Sequence, residues 1–307
     1  MPLSVVRVRR VGLVVSDLPA AAAFYRETFG FDAVGRHVDE GAALAQLLGM
    51  SRVRTRSNLL RLGSDELELT AYDPHGRDYP PGSTAADPWF QHIAIVVADM
   101  DEAYAVLRGG RKITAISLAG PERLPPNTGS VTAYKFRDPE GHPLELSMFP
   151  PGVGASRWRQ ATADRNFLGI DHSALSVADV ERSVAFYAET LGMSVTGRSL
   201  NRGPEQDRLD GLACDGVDIV ALRPADPASP HIELLGYPGR GRSGASLRPN
   251  DMAATRLELQ VADLRGMMER LRAADAAFVS PGAVTLASGL VAALVADPDG
   301  HLLLLNE

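Results

Sequence analysis

The stretch VGLVVSDLPAAAAFYRETFGFDAVGR (residues 11–36) returns 162 positions later as SALSVADVERSVAFYAETLGMSVTGR (residues 173–198). Leu13, Val15, Asp17, Ala23, Phe24, Tyr25, Glu27, Thr28, Gly30, Gly35 and Arg36 recur identically, eleven matches in 26 ungapped positions. Agreement of that density marks an internal duplication, and a duplication has to be found before any fold is assigned. A second pair of stretches repeats as well: VVADMDEAYAVLRGG with FRDPEGHPLELSMF resembles QVADLRGMMERLRAA with VADPDGHLLLLNE. The chain therefore reads as four modules, beginning near Val8, Trp89, Leu168 and Ala253.

Every module carries the same signals. An apolar, alternating strand leads to an aspartate (Asp17, Asp99, Asp179, Asp263) placed where a helix N-cap belongs, since its side chain can accept from free backbone N–H groups. A helix follows, with Phe24 and Tyr25, or Phe186 and Tyr187, on its inner face, and a glycine such as Gly30 or Gly192 stops it. The aromatic pairs read as core, because buried aromatics mostly serve packing. Two or three short strands come next, closed in two modules by the turns DPEGH and DPDGH. This is a βαβββ unit four times over, an α+β chain. It divides into residues 1–150 (modules 7–75 and 89–150), a small and polar linker at 151–167, and residues 168–307 (modules 168–238 and 252–307).

Composition narrows the function. A chain of 307 residues supports two cores, and 45% hydrophobic with 22% charged residues is ordinary for a globular protein. A net charge of −7 argues against a nucleic-acid surface, which shows as a basic excess. The 31 basic residues are 29 arginines plus Lys112 and Lys135. One cysteine, Cys214, excludes an internal disulfide and fits a reducing compartment, with the thiol acting as a small apolar side chain. No apolar run is long enough to span a bilayer and no secretory signal is evident, so the expectation is a cytoplasmic protein with no membrane partner, monomeric or homodimeric, acting on a small molecule.

The strand–Asp–helix–FY opening and the DPEGHPLEL ending resemble the vicinal oxygen chelate superfamily, which includes glyoxalase I, methylmalonyl-CoA epimerase, extradiol dioxygenases and the fosfomycin and bleomycin resistance proteins. The resemblance covers all but the linker and some loops. It implies modules paired into cupped eight-stranded mixed sheets, here two of them, with one divalent metal held by the first and last strands of the paired modules. The first-strand ligand position, seven residues before the aspartate, is Arg10, His92, His172 and Arg256; the last-strand position is Glu68, Glu145, Glu233 and Leu304. Pairing modules two and three collects His92, Glu145, His172 and Glu233 in one cup and leaves Arg10, Glu68, Arg256 and Leu304 in the other. Pairing neighbours in sequence splits the set into Glu68/His92/Glu145 and His172/Glu233, neither complete.

Two imidazoles and two carboxylates suit Fe, Mn, Co, Ni or Zn without choosing among them. Burying two carboxylates with no cation would cost several kcal/mol each, about 3 or more in order of magnitude, which favours the metal reading. By resemblance to glyoxalase I, Glu145 or Glu233 is the base in a lyase, isomerase or epimerase step through an enolate stabilised by the cation. A ring-cleaving dioxygenase using Fe(II) is the second expectation, and a resistance-type binder with no catalysis the third. Asn201, Gln206 and His231 are candidate substrate contacts; Asn201, Glu205 and Gln206 are expected in a loop or strand edge, and His231 shares a strand face with Glu233. His142 and His301, in the turns, read as structural, His37 and His75 as loop residues, and Arg10 and Arg256 as surface or interdomain salt-bridge formers, with anchoring of an anionic group in their cup as the alternative.

Overall fold

The computed structural model describes residues 3–159, 165–241 and 246–307. Module one runs β1 (Val5–Val14), α1 (Leu18–Phe29), β2 (Asp32–Glu40), α2 (Ala42–Leu47), β3 (Arg54–Leu62) and β4 (Asp65–Asp73). Module two runs β5 (Gln91–Val97), α3 (Met100–Arg108), β6 (Thr114–Ala115), β7 (Glu122–Arg123), β8 (Thr132–Arg137) and β9 (Pro143–Met148). The linker holds one turn of helix, α4 (Ser156–Arg159); its residues 160–164 lie outside the described residues. Module three comprises β10 (Phe167–Val177), α5 (Val180–Val184), β11 (Ser194–Asn201), α6 (Pro204–Asp210), β12 (Val217–Arg223) and β13 (His231–Gly236). Module four comprises β14 (Arg256–Val261), α7 (Leu264–Ala273), β15 (Ala277–Phe278), β16 (Val284–Thr285), β17 (Val291–Ala296) and β18 (Leu302–Asn306).

The four aspartates do cap the four helices. Asp17, Asp99, Asp179 and Asp263 accept from the N–H three residues on, at 3.0, 3.0, 3.1 and 2.9 Å. Gly30 ends α1 in the left-handed region, φ 75°, where a side chain would be strained. The helix after Asp179 departs from regularity, because α5 continues as a π-helical stretch over Ala185–Thr190. Phe186 and Tyr187 stay buried in it, as Phe24 and Tyr25 do in α1.

The two modules within each half of the chain, one with two and three with four, do not share a sheet. One sheet has the order β15-β17-β18-β14-β1-β4-β3-β2 with β16 beside β17, so it joins modules one and four. The other has the order β11-β12-β13-β10-β5-β9-β8-β6 with β7 beside β8, and joins modules two and three. Residues 1–150 and 168–307 thus each give one module to each sheet. At the middle of each sheet two first strands run antiparallel, β1 with β14 and β5 with β10, and the last strand of each module lies parallel to its own first strand.

What binds the two modules of each half is the helix layer. Tyr25 Oη donates to Asp138 Oδ2 at 3.0 Å and Tyr187 Oη to Asp297 Oδ2 at 3.0 Å, joining module one to two and three to four. His142 Nε2 meets Val14 O at 2.9 Å and His301 Nε2 meets Ser176 O at 2.9 Å, so both turn histidines are structural. Leu13, Phe29, Ile95, Phe136, Leu175, Leu257 and Leu303, drawn from all four modules, belong to one apolar core. Among the described residues no helix is long and apolar enough to cross a membrane.

Candidate functional site

In the second sheet β5 and β10 pair with His92 opposite Ala174 and His172 opposite Ala94. The two imidazoles therefore stand on one face, ring centroids 5.6 Å apart. On the flanks Glu145 of β9 lies beside Ala94, and Glu233 of β13 beside Ala174. All four side chains line a cavity of about 320 Å³. One ligand atom each from His92, Glu145 and His172 fall within 4.8 Å of one another. Glu233 stands just outside that group, its Oε2 3.5 Å from His172 Nε2 and its Oε1 3.3 Å from His231 Nε2.

The two histidines differ in their surroundings. His92 is 1% exposed, and neither of its ring nitrogens has a hydrogen-bond partner among the described residues, although Glu145 Oε2 lies 3.3 Å from Nε2. Such orphaned buried nitrogens are rare and demand an explanation. Burial and the nearby Lys135 ammonium hold the His92 ring below its ordinary pKa, which keeps a lone pair free. His172 is oriented from behind: its Nδ1 bonds Asp171 Oδ2 at 3.1 Å, leaving Nε2 toward the cavity. Burial opposes charging His172, yet Glu233 and Asp171 outweigh it and raise the group to about 9.

Asp171 reaches His172 because the strand is irregular there. Adjacent residues of a regular strand point to opposite faces. Between Ile170 and His172 the register against β5 slips by one residue, and that bulge turns Asp171 toward the site. Trp158 Nε1 of the linker helix donates to Asp171 Oδ1 at 2.8 Å and fixes it further. Burial would raise the Asp171 carboxyl, but the His172 and His231 rings hold it well below the usual carboxylate range.

A second buried cation completes the cup. Lys135 of β8, opposite Glu145 in the ladder and 3% exposed, lies 2.6 Å from Asp210 Oδ1 and 3.5 Å from Glu145 Oε2. Ser147 Oγ donates to Glu145 Oε1 at 2.6 Å. Burial would push Glu145 up, but Lys135 and then His92 pull it far below the usual range. Glu233, pushed up by burial and pulled down by His172 and His231, comes to about 2. Both carboxyls are ionised at neutral pH.

The expected substrate contacts separate here. Asn201 at the end of β11 and Gln206 both line the cavity and are buried. Gln206 and Glu205 sit on α6 rather than in a loop or strand edge, because Pro204 at the first turn and Gly211 in the left-handed region at the end delimit a helix. Gln206 Nε2 donates to Asp210 Oδ2 at 2.7 Å, while Glu205 faces Arg208 at 4.0 Å. His231 is not part of the cavity lining; it stands between Asp171, at 3.6 Å, and Glu233. Asp171, His172 and His231 form a second cluster of metal-ligating type.

Sequence reasoning missed Asp171, Lys135, Asp210 and Trp158. Lys135 had a signal, being one of two lysines in a chain that otherwise uses arginine. Arg10 and Arg256 lie inside the cup of the first sheet with Glu68 and Leu304, where the pairing of modules one and four puts them, and not at a surface or interdomain salt bridge. The reason is local: each stands on a central strand facing carboxylates of that same sheet, Glu68 for Arg256 at 2.7 Å and Glu258 for Arg10 at 3.1 Å. His37, expected in a loop, is an exposed residue of β2 and also lines that cup.

Comparison with known proteins fits this geometry. The family model described as Glyoxalase/Bleomycin resistance protein/Dioxygenase superfamily matches residues 7–146 and 169–305. No curated protein sequence matches the chain. Glyoxalase I from Zea mays superposes with a TM-score of 0.66 at 19% identity, over 98% of this chain and 92% of that one. A point mutant of the same Zea mays enzyme gives 0.65 at 20% identity, over 98% and 93%. A putative dioxygenase from Bacillus subtilis subsp. subtilis str. 168 gives 0.61 at 15% identity, over 99% and 85%. With both halves matched and the tandem fold shared, the chain belongs to the glyoxalase, bleomycin resistance protein and dioxygenase superfamily.

Proposed function

We propose that this chain is a divalent-metal-dependent enzyme of the glyoxalase I type, a lyase, isomerase or epimerase acting on a small oxygen-rich substrate. His92, Glu145, His172 and Glu233 are the metal ligands in this reading, and Fe, Mn, Co, Ni or Zn the candidate ions. The observation that carries it is His92, a fully buried imidazole whose two nitrogens lack hydrogen-bond partners and which stands beside the Glu145 carboxylate and a second imidazole. That donor set fits a cation and is hard to account for without one.

Bound there, a divalent cation supplies Lewis acidity toward a carbonyl oxygen of the substrate. The chain's own residues divide the remaining work. Glu145 is pinned by Ser147 at one oxygen and Lys135 at the other, so it is the fixed carboxylate. Glu233 is the freer one, with a side chain 22% exposed, and it is the base that accepts the proton from carbon next to the carbonyl. Its ionised state at neutral pH leaves it ready to accept. Asp171 holds His172 with Nε2 facing the cavity. Lys135 presents a positive charge on the module-two flank of the cup, while its counterpart on the module-three flank is Ala221, so the two ends of a bound substrate meet different surroundings.

A specific observation supports a dioxygenase as the second reading. The tight group is His92, Glu145 and His172, two imidazoles and one carboxylate, with Glu233 drawn toward His231. Such a triad on one face suits non-haem Fe(II). Metal analysis of anaerobically purified protein, with deuterium exchange beside a substrate carbonyl and catechol-induced colour of the iron form, tests both. Exchange without colour supports the first reading, and colour without exchange the second. Absence of stoichiometric metal under every reconstitution would remove both and leave a binding protein.

A further inference from the structure

We propose that the cup of the first sheet is a second, metal-independent site that binds an organic anion with an apolar body, an arylcarboxylate being the simplest form. The cavity there is about 720 Å³, against about 320 Å³ in the cup of His92 and His172. Its floor occupies the same fold positions, with Arg10 and Arg256 where the other cup has its two histidines. The bulge that turns Asp171 inward in the second sheet recurs in the first, where the register slips between Val8 and Arg10. It brings Arg9 as well as Arg10 to the cavity.

Among the residues that line the cup itself the arginines outnumber the carboxylates by one. Arg9, Arg10, Arg36 and Arg256 line the cup against three carboxylates, Asp39, Glu68 and Glu258. Arg256 is committed to Glu68 at 2.7 Å and to the Tyr72 hydroxyl at 3.0 Å. Arg10 is not satisfied in that way. Its Nε is buried without a hydrogen-bond partner, although Glu258, Glu66 and Glu68 surround the guanidinium at 3.1, 3.5 and 3.6 Å. A guanidinium presents a planar fork that matches a carboxylate.

The opposite wall specifies the other half of the ligand. In the second sheet the helix between the second and third strands of module three puts Gln206 and Asp210 at the cavity or just behind it. Its counterpart in module one, α2, puts Leu44 and Leu47 there, continued by Leu48, and Leu286 and Leu290 of module four close the same wall. A floor bearing Arg10 and Arg256 under a leucine wall fits one chemistry, an acid carried on an apolar body.

Titration calorimetry of the intact chain with 4-benzoylbenzoate, followed by irradiation and peptide mapping, tests the site. The expected result is one saturable site per chain, with the covalent adduct in residues 42–48 or 286–290. Affinity should fall about tenfold or more in Arg10→Met, which removes the guanidinium whose Nε has no hydrogen-bond partner. Leu47→Asp should weaken binding as well. No saturable heat up to millimolar probe, an adduct confined to the peptides of His92 or Glu145, or unchanged affinity in both variants would overturn the proposal. The mapping uses the unaltered chain, so it decides the question even if a variant fails to fold.

Discussion

The two cups are one design with two answers to the same electrostatic problem. Each places carboxylates on the concave face of a sheet, where a charge stripped of water needs a positive partner. In the cup of modules one and four the partner is built into the chain: Arg256 on Glu68 at 2.7 Å and Arg10 beside Glu258 at 3.1 Å. In the cup of modules two and three the corresponding places hold His172 and His92, and His92 has no hydrogen bond to either nitrogen. The guanidinium cup carries its own cations beside its carboxylates, whereas the imidazole cup leaves both nitrogens of His92 without a hydrogen bond. In the proposed reading, four positions on the same backbone decide whether a cup supplies its own cations or is open to a metal.

The sharpest way to break the comparison is to take away a built-in counter-ion. Arg256→Met strands Glu68, whose side chain is only 13% exposed, and should cost about 3 kcal/mol of stability. For a chain of this size that lowers Tm by roughly 6–12 °C, at about 2–4 °C per kcal/mol. Adding Glu68→Gln should restore most of it, since removing both partners of a buried pair is far milder than removing one. Calorimetric melts of the single and double variants check this. Equal losses in both would mean that Arg256 acts through packing rather than charge.

In the other cup the same kind of deletion should show in metal rather than in folding. His92→Ala or His172→Ala should drop bound metal from about one ion per chain to less than about a tenth, an affinity loss of at least about 100-fold, because deleting a ligand exceeds the 10–100-fold typical of its supporting partner. Mass-spectrometric metal content checks it, with Glu68→Ala as the counterpart that keeps its metal. Asp171→Asn is the next smaller step. It retains a hydrogen-bonding group beside His172 but removes the carboxylate, and metal affinity should fall about 10–100-fold. Trp158→Phe, which takes one hydrogen bond from Asp171, should cost about 1 kcal/mol. Competition with a metallochromic chelator ranks these variants.

Much of this contrast could be read from residue order alone. The duplication is visible in Asp17/Asp179, the Phe-Tyr pairs and Gly30/Gly192, because capping and core packing restrict which residues a position accepts. The candidate ligand positions came from the family resemblance once the modules were aligned, and modules two and three, which hold His92, Glu145, His172 and Glu233, do build one sheet. What escaped has physical causes. Asp171 was hidden because alternation along a strand sends it away from His172, and a bulge leaves no compositional mark. Lys135 and Asp210 meet across 75 residues, from β8 to α6, through tertiary packing that no local pattern encodes. The π-helical turn after Val184 is equally silent, since Ala185–Thr190 differs little in type from the regular helix of module one.

The finest test is to convert one cup into the other. Arg10→His, Arg256→His and Leu304→Glu, with Glu68 left in place, reproduce in the first sheet the four side chains of the second. If those positions carry the chemistry, the variant should hold about two metal ions per chain, the new one weaker by about 10–100-fold than the old. The deficit has a named source. Arg9 stands at the bulge position that Asp171 occupies in the other sheet, so the imidazole introduced by Arg10→His would have a guanidinium behind it instead of a carboxylate. Adding Arg9→Asp should therefore recover part of the affinity, and the recovery should disappear in a variant that carries Arg9→Asp without Arg10→His. A grafted cup that binds no second ion by mass-spectrometric analysis, even with Arg9→Asp, would show that the leucine wall and Glu258 matter more than the four positions, and that the cups differ in shape before they differ in charge.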